Sequence, residues 1–132
     1  MPFVTAAKEF LEFAGELSDD KYVDVMTDTV GYLLENSIGI KNAVPTDTIV
    51  KVLKERGHKI SRHSWEIYVL GKLRGEGIFI ASNKNKGMYI IETREEAEKF
   101  YQEYRRYSRN TVENKRRLDL LSDLIEFGHW GE

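Results

Sequence analysis

A mostly helical α+β fold follows from three features of this 132-residue chain. Apolar side chains recur at three- and four-residue spacing through most of its length, which marks helices with one buried stripe. Near residue 78 that period gives way to two short apolar runs joined by a polar Asn/Lys/Gly segment, the pattern of a β-hairpin. Gly, Pro, Ser and Thr stand at the boundaries, where helices need caps and stops.

The elements follow in order. Residues 3–17 predict a short amphipathic helix, with Phe3, Ala6, Ala7, Phe10, Phe13, Ala14 and Leu17 on its stripe. Ser18-Asp19-Asp20 punctuates it and can cap the next helix. That helix spans 21–36, with Tyr22, Val25, Met26, Thr29, Val30, Leu33 and Leu34 inward and acidic residues opposite; Gly39 can terminate it. Ile40 to Val44 can supply a small first strand. Pro45 suits a helix start, because its missing N–H costs nothing there. A third helix spans 46–56 and stops at Gly57. After the tight connection Gly57-His58-Lys59-Ile60, Ser61 is placed to cap a fourth helix over 62–75, which Gly75-Glu76-Gly77 ends. The hairpin has strands at 78–81 and 88–91 with the turn Asn83-Lys84-Asn85-Lys86-Gly87 between them. Thr93-Arg94-Glu95-Glu96 reads as a capping box. From there to Phe127 no Gly or Pro occurs. Ala97, Phe100, Tyr104, Tyr107, Thr111, Asn114, Leu118, Leu121 and Ile125 share one heptad stripe, on a single long helix or on two helices broken near Ser108–Thr111.

Composition excludes several classes. The chain has no cysteine, so disulfides, thiolate catalysis and thiolate zinc sites are ruled out. His58, His63 and His129 are scattered without ligand spacing, and no metal site or cofactor is expected. Asp19, Asp20, Asp24 and Asp28 sit at helical spacing, which suits a solvated acidic face better than a cation site. No apolar run approaches the ~20 residues of a membrane helix. Met1-Pro2-Phe3-Val4-Thr5 does not resemble a secretory signal, and a cytoplasmic setting fits. Phosphate loops and Gly-x-Ser-x-Gly elbows are absent, so no enzyme is expected.

The net charge is −2, but it is unevenly spread. Residues 1–37 carry two basic and eight acidic groups, 38–91 carry ten basic and four acidic, and 92–132 carry eight basic and ten acidic. The middle third is therefore strongly positive. DNA binding needs a basic face, not a basic total.

Helix, helix, tight turn, helix and hairpin in this order is the plan of a winged helix-turn-helix. Ile60-Ser61-Arg62-His63-Ser64-Trp65 through Leu70-Gly71-Lys72-Leu73-Arg74-Gly75-Glu76-Gly77-Ile78-Phe79-Ile80 resembles the DNA-binding domain of biotin-repressor-type winged helices. Asn83-Lys84-Asn85-Lys86-Gly87-Met88-Tyr89-Ile90 is similar to their Lys-Gly-Tyr wing. With Thr93-Arg94-Glu95-Glu96 and the tail after it, the chain also resembles small winged-helix proteins of phages of Gram-positive bacteria. The resemblance covers residues 44–125 and implies that the 62–75 helix enters the major groove. The chain then divides into an N-terminal helical extension (1–39), the winged helix-turn-helix (40–92) and a C-terminal helix or helix pair (93–127).

Expected DNA contacts are Lys59, Ser61, Arg62, His63 and Ser64 at the helix start, with Arg62 suited to guanine, and Lys84 and Lys86 on the hairpin tip. Arg105, Arg109 and Arg116 form a candidate phosphate stripe if one helix carries them. Each feature also has a plainer reading. Trp65, Tyr68, Leu70 and Leu73 read as packing, the hairpin lysines as a solubilising tip, Gly71 as a site of close helix packing, and His63 as a surface group. The expected function is sequence-specific binding of double-stranded DNA, as a transcriptional regulator or a phage replication or packaging factor. The alternative is a winged-helix protein-interaction module, for which the acidic N-terminal region offers a partner surface. The C-terminal stripe is a candidate homodimer contact, with Thr111 and Asn114 as its polar centre.

Overall fold

The computed structural model describes residues 1–17 and 21–131, with Leu17 described for its backbone only. The expected cap at Ser18-Asp19-Asp20 lies outside the described residues. The fold is α+β and mostly helical: α1 (Pro2–Phe13), α2 (Val23–Asn36), α3 (Thr46–Glu55), α4 (residues 62–75), strands β1 (Ile80–Asn83) and β2 (Gly87–Ile90), α5 (Arg94–Tyr107) and α6 (Val112–Phe127). A 3₁₀ turn, Ala14–Leu17, extends α1.

The caps expected at Ser61 and Thr93 form, and Thr111, expected as a polar position of the C-terminal stripe, caps a helix as well. Ser61 caps α4 by accepting the Ser64 N–H at 3.1 Å. Thr93 caps α5 by accepting the Glu96 N–H. Thr111 caps α6 by accepting the Asn114 N–H. Each satisfies one of the orphan donors of a first helical turn. At the other ends, Gly57 and Gly77 close α3 and α4 alike. His58 N–H reaches the Leu53 carbonyl and Ile78 N–H the Leu73 carbonyl, the six-to-one bond of a glycine-terminated helix.

That last bond moves the hairpin. The sequence places the first strand at 78–81, yet Ile78 spends its N–H on the end of α4, so pairing starts only at Ile80. β1 and β2 are antiparallel, with Ile80 opposite Ile90 and Asn83 opposite Gly87. The Asn83 side chain accepts the N–H groups of Asn85 and Lys86, which folds the tip back on itself.

Residues 40–44 do not form the expected strand. Ile40–Asn42 is a 3₁₀ turn, because Glu96 Oε2 takes the Ile40 N–H that a ladder would need. The other oxygen of Glu96 takes the Glu92 N–H, so one carboxylate joins this turn to the start of α5. On either side of the turn, Ile38 and Val44 pair singly with Ile90 and Met88. The Val44–Met88 pair exchanges both hydrogen bonds, at 2.9 and 2.7 Å. Gly87 allows this approach. It has φ +109°, and a Cβ there would stand 2.2 Å from the Val44 oxygen.

Helix α4 is irregular. Between Arg62–Ser64 and Gly71–Gly75, residues Trp65–Leu70 follow the wider i→i+5 pattern, with Gly71 N–H bonded to the Glu66 carbonyl. Such widened turns recur at functional sites. Gly71 is not the close helix contact the sequence suggests: an added Cβ would meet only the Glu66 carbonyl, at 3.7 Å. Trp65, Val69, Leu70 and Leu73 are buried, whereas Glu66, Ile67 and Tyr68 face out. Tyr68 is thus not core; it stacks on Tyr22, the residue before α2, with centroids 5.2 Å apart. Trp65 is fully buried and its indole N–H donates to Thr29 Oγ1 at 3.2 Å. Thr29 in turn donates to the Val25 carbonyl, so no polar atom of this α2–α4 contact is wasted.

One hydrophobic cluster runs from Phe3 to Leu121 and draws on all three expected segments. Phe3 meets Phe79 and Trp130. The C-terminal stripe is broken at Ser108–Thr111 into two helices, the second of the two arrangements the sequence allows. Ala97, Phe100 and Leu121 are buried in this chain's own core, while Tyr107 is 77% exposed. Among the described residues, no helix is long and apolar enough to cross a membrane.

Candidate nucleic-acid interface

The start of α4 presents Lys59, Ser61, Arg62 and His63 to solvent, and Ser64 half-buried behind them. Ser61 uses its lone pair as the cap. Arg62 is engaged on two sides: Nε donates to Glu66 Oε1 at 2.9 Å and Nη1 to Asp47 Oδ1 at 3.1 Å. The Glu66 hydrogen bond and the Asp47 charge raise its pKa further above the usual arginine value. All three side chains are more than 40% exposed, so water screens these pairs and exchange of partners costs little.

The hairpin tip faces this helix start across an open groove of about 520 Å³. Arg62, Lys84 and Lys86 line it together with Asp47, Glu103 and Tyr107. Lys84 and Lys86 form no ion pair among the described residues. Three cations against two carboxylates leave the groove modestly positive. The structure thus brings Arg62, Lys84 and Lys86 to one surface, with Lys59, Ser61, His63 and Ser64 on the adjoining helix start and outside the groove lining.

The basic stripe does not survive folding. The bend at Ser108–Thr111 puts Arg105 on α5, Arg109 in the bend and Arg116 on α6. Arg105 and Arg109 are exposed and make no ion pair among the described residues. Arg116 instead bonds Glu113 at 2.8 Å and the Gly75 carbonyl at 2.9 Å, tying α6 to the end of α4. The Glu113 hydrogen bond and then its charge raise the Arg116 pKa. In the acidic region, Asp28 pairs with His58 at 2.6 Å and Arg56 at 3.8 Å, which fastens the α3–α4 connection to α2. Among the described residues, no three His, Asp or Glu side chains gather as a metal site would require.

Sequence reasoning passed over Asp47, Glu66, Ile67 and Tyr107. The i,i+4 spacing of Arg62 and Glu66 was a usable signal. Asp47 carried none, because only the packing of α3 against α4 brings it to Arg62. No family model, no curated protein and no solved structure matches this chain.

Proposed function

We propose that this chain is a winged helix-turn-helix protein that binds double-stranded DNA. In this reading α4 enters the major groove, led by Arg62 and His63, and the β1–β2 hairpin is the wing whose lysines reach an adjacent phosphate backbone. The observation that carries it is the convergence of Arg62, Lys84 and Lys86 on one open groove, from elements far apart in sequence. Exposed Ile67 adds an apolar side chain suited to a thymine methyl group. Glu66 and Asp47 then hold Arg62 extended in the free protein and release it to a base or phosphate.

The test is a titration of fluorescent random-sequence duplex at two salt concentrations, with the wild type and an Arg62→Ala, Lys84→Ala, Lys86→Ala variant. Salt-sensitive binding that the variant loses supports the reading, and selection for a preferred site follows. No binding by the wild type at low salt sinks it.

A second reading, a winged helix that docks a protein, draws on a different groove, one that shares no lining residue with the first. This apolar groove of about 440 Å³ between α1 and α6 is walled by Phe10, Phe13, Leu120 and Leu124 and rimmed by Glu9, Glu16 and Glu76. Its chemistry suits a basic amphipathic helix. Binding of such a peptide, abolished by Phe13→Asp and indifferent to the hairpin lysines, would favour this reading.

A further inference from the structure

Behind the hairpin lies a part-buried cation with no carboxylate partner. Arg74, near the end of α4, turns Nε and Nη2 onto the Ile80 carbonyl at 3.1 and 2.7 Å. Its guanidinium stands 5.3 Å from the Phe100 ring centre and 5.6 Å from that of Tyr104. Among the described residues no Asp or Glu lies within ion-pair distance of it. Burial lowers its pKa to about 10; Tyr104 opposes that shift and the Arg117 charge adds to it. A guanidinium nonetheless keeps its proton in a protein, so the site holds a standing positive charge in surroundings that screen it poorly.

The third nitrogen is free. Nη1 makes no hydrogen bond among the described residues, and it is not sealed from solvent. Nε has spent its one N–H and Nη2 one of its two on Ile80, so both Nη1 N–H groups remain for a ligand, and Arg74 lines a pocket of about 310 Å³. Ser82, Ser108, Tyr104 and Tyr107, all hydroxyl-bearing residues, line the same pocket, and Glu103 stands on its wall.

We propose that this pocket binds a phosphate group, with Arg74 Nη1 supplying the charge and two N–H donors and the Ser82 and Ser108 hydroxyls supplying further donors. The tyrosine rings give it an apolar wall, suited to the organic part of a phosphate ester. Glu103 repels an anion and so lowers the site's affinity for one. The pocket shares Ser82, Glu103 and Tyr107 with the groove of Arg62, Lys84 and Lys86. Its phosphate therefore comes either from the DNA backbone or from a free phosphorylated molecule, and the site does not depend on the chain binding DNA.

The experiment is a titration of the ¹⁵N-labelled full chain with inorganic phosphate, following the Arg74 Nε–H signal, with chloride at matched ionic strength as control. A saturable shift specific to phosphate is expected. Glu103→Gln tightens binding about fivefold, the factor that removing one repulsive charge roughly 4 Å away supplies where water screens it, as it does the exposed Glu103 side chain. Arg74→Lys keeps the charge but loses the fork, and weakens binding roughly tenfold. Should Arg74→Lys fail to fold, Ser82→Ala with Ser108→Ala tests the same site without disturbing the core. Duplex DNA that displaces phosphate from these signals, with a salt slope about one unit shallower in Arg74→Lys, assigns the backbone as the source. Phosphate that stays bound beside DNA, or that binds although DNA does not, assigns a free ligand. An Arg74 signal that moves no differently in phosphate than in chloride overturns the proposal, as does weaker phosphate binding in Glu103→Gln.

Discussion

Gly87→Ala tests how the hairpin is held to the helices. The new Cβ would fall 2.2 Å from the Val44 oxygen, 2.4 Å from its carbon and 2.7 Å from the Pro45 nitrogen. All three are backbone atoms, so no side chain can swing away and the 44–45 segment itself must move. That movement breaks the two Val44–Met88 hydrogen bonds, about 2 kcal/mol together at a net ~1 kcal/mol each. The alanine must also adopt φ +109°, which adds about 1–3 kcal/mol. The expected loss is therefore about 3–5 kcal/mol. Gly57→Ala is the control: it has φ +95° but nothing within 4 Å of the added carbon, so it carries only the conformational cost. Urea unfolding followed by tryptophan fluorescence should put the Gly87→Ala midpoint about 1 M below that of Gly57→Ala, for a slope near 2 kcal/mol/M. Equal midpoints for the two variants would show that the Val44 contact does not hold the hairpin. In the DNA reading Gly87→Ala also weakens binding, because it displaces Lys84 and Lys86 from Arg62.

Three further outcomes are expected. Thr29→Val leaves the Trp65 indole N–H buried without an acceptor and costs about 1–3 kcal/mol; a loss under ~0.5 kcal/mol in urea unfolding would deny that hydrogen bond its role. Burial raises the Tyr89 phenol to about pH 12, with Glu96 and Glu103 adding to the shift. Its contribution is present below the unfolded value near 10 and is lost as pH rises from 10 to 12, because the unfolded chain ionises first. The wild type should lose stability relative to Tyr89→Phe across that window, and a pH-independent difference between the two would refute the shift. Asp47→Asn removes a carboxylate that competes for Arg62, so duplex affinity should rise about fivefold at low salt and less at high salt; unchanged or weaker binding would place Arg62 away from the DNA.

Much of the fold is legible because capping is local. Ser61, Thr93 and Thr111 each sit within three residues of the N–H they accept, so the side chain that starts each helix stands beside its partner in the sequence. The apolar stripes are legible too, and their inward members form the core. The hairpin is legible, but the sequence pattern sets its first strand two residues early and its second one residue late. Its alternation was readable, but the competing claim of α4 on the Ile78 N–H was not. The candidate site divides along the same line. Lys84 and Lys86 stand out as a polar tip between two apolar runs, whereas the acids around Arg62 and the bond from Arg116 to Gly75 depend on what packs beside them.

By itself, then, the sequence determined where the helices before the hairpin start and stop to within a few residues, which faces are apolar and where positive charge is concentrated, because each rests on residues a few positions apart. Only the tertiary structure decided that residues 40–44 turn instead of extending, since Glu96 takes the Ile40 N–H from 56 positions away. It also divided the C-terminal stripe, burying Phe100 and Leu121 in one core and leaving Tyr107 in solvent. And it left Arg74 lining a pocket without an ion-pair partner among the described residues, because the partners of a side chain are chosen by whatever surface folds against it.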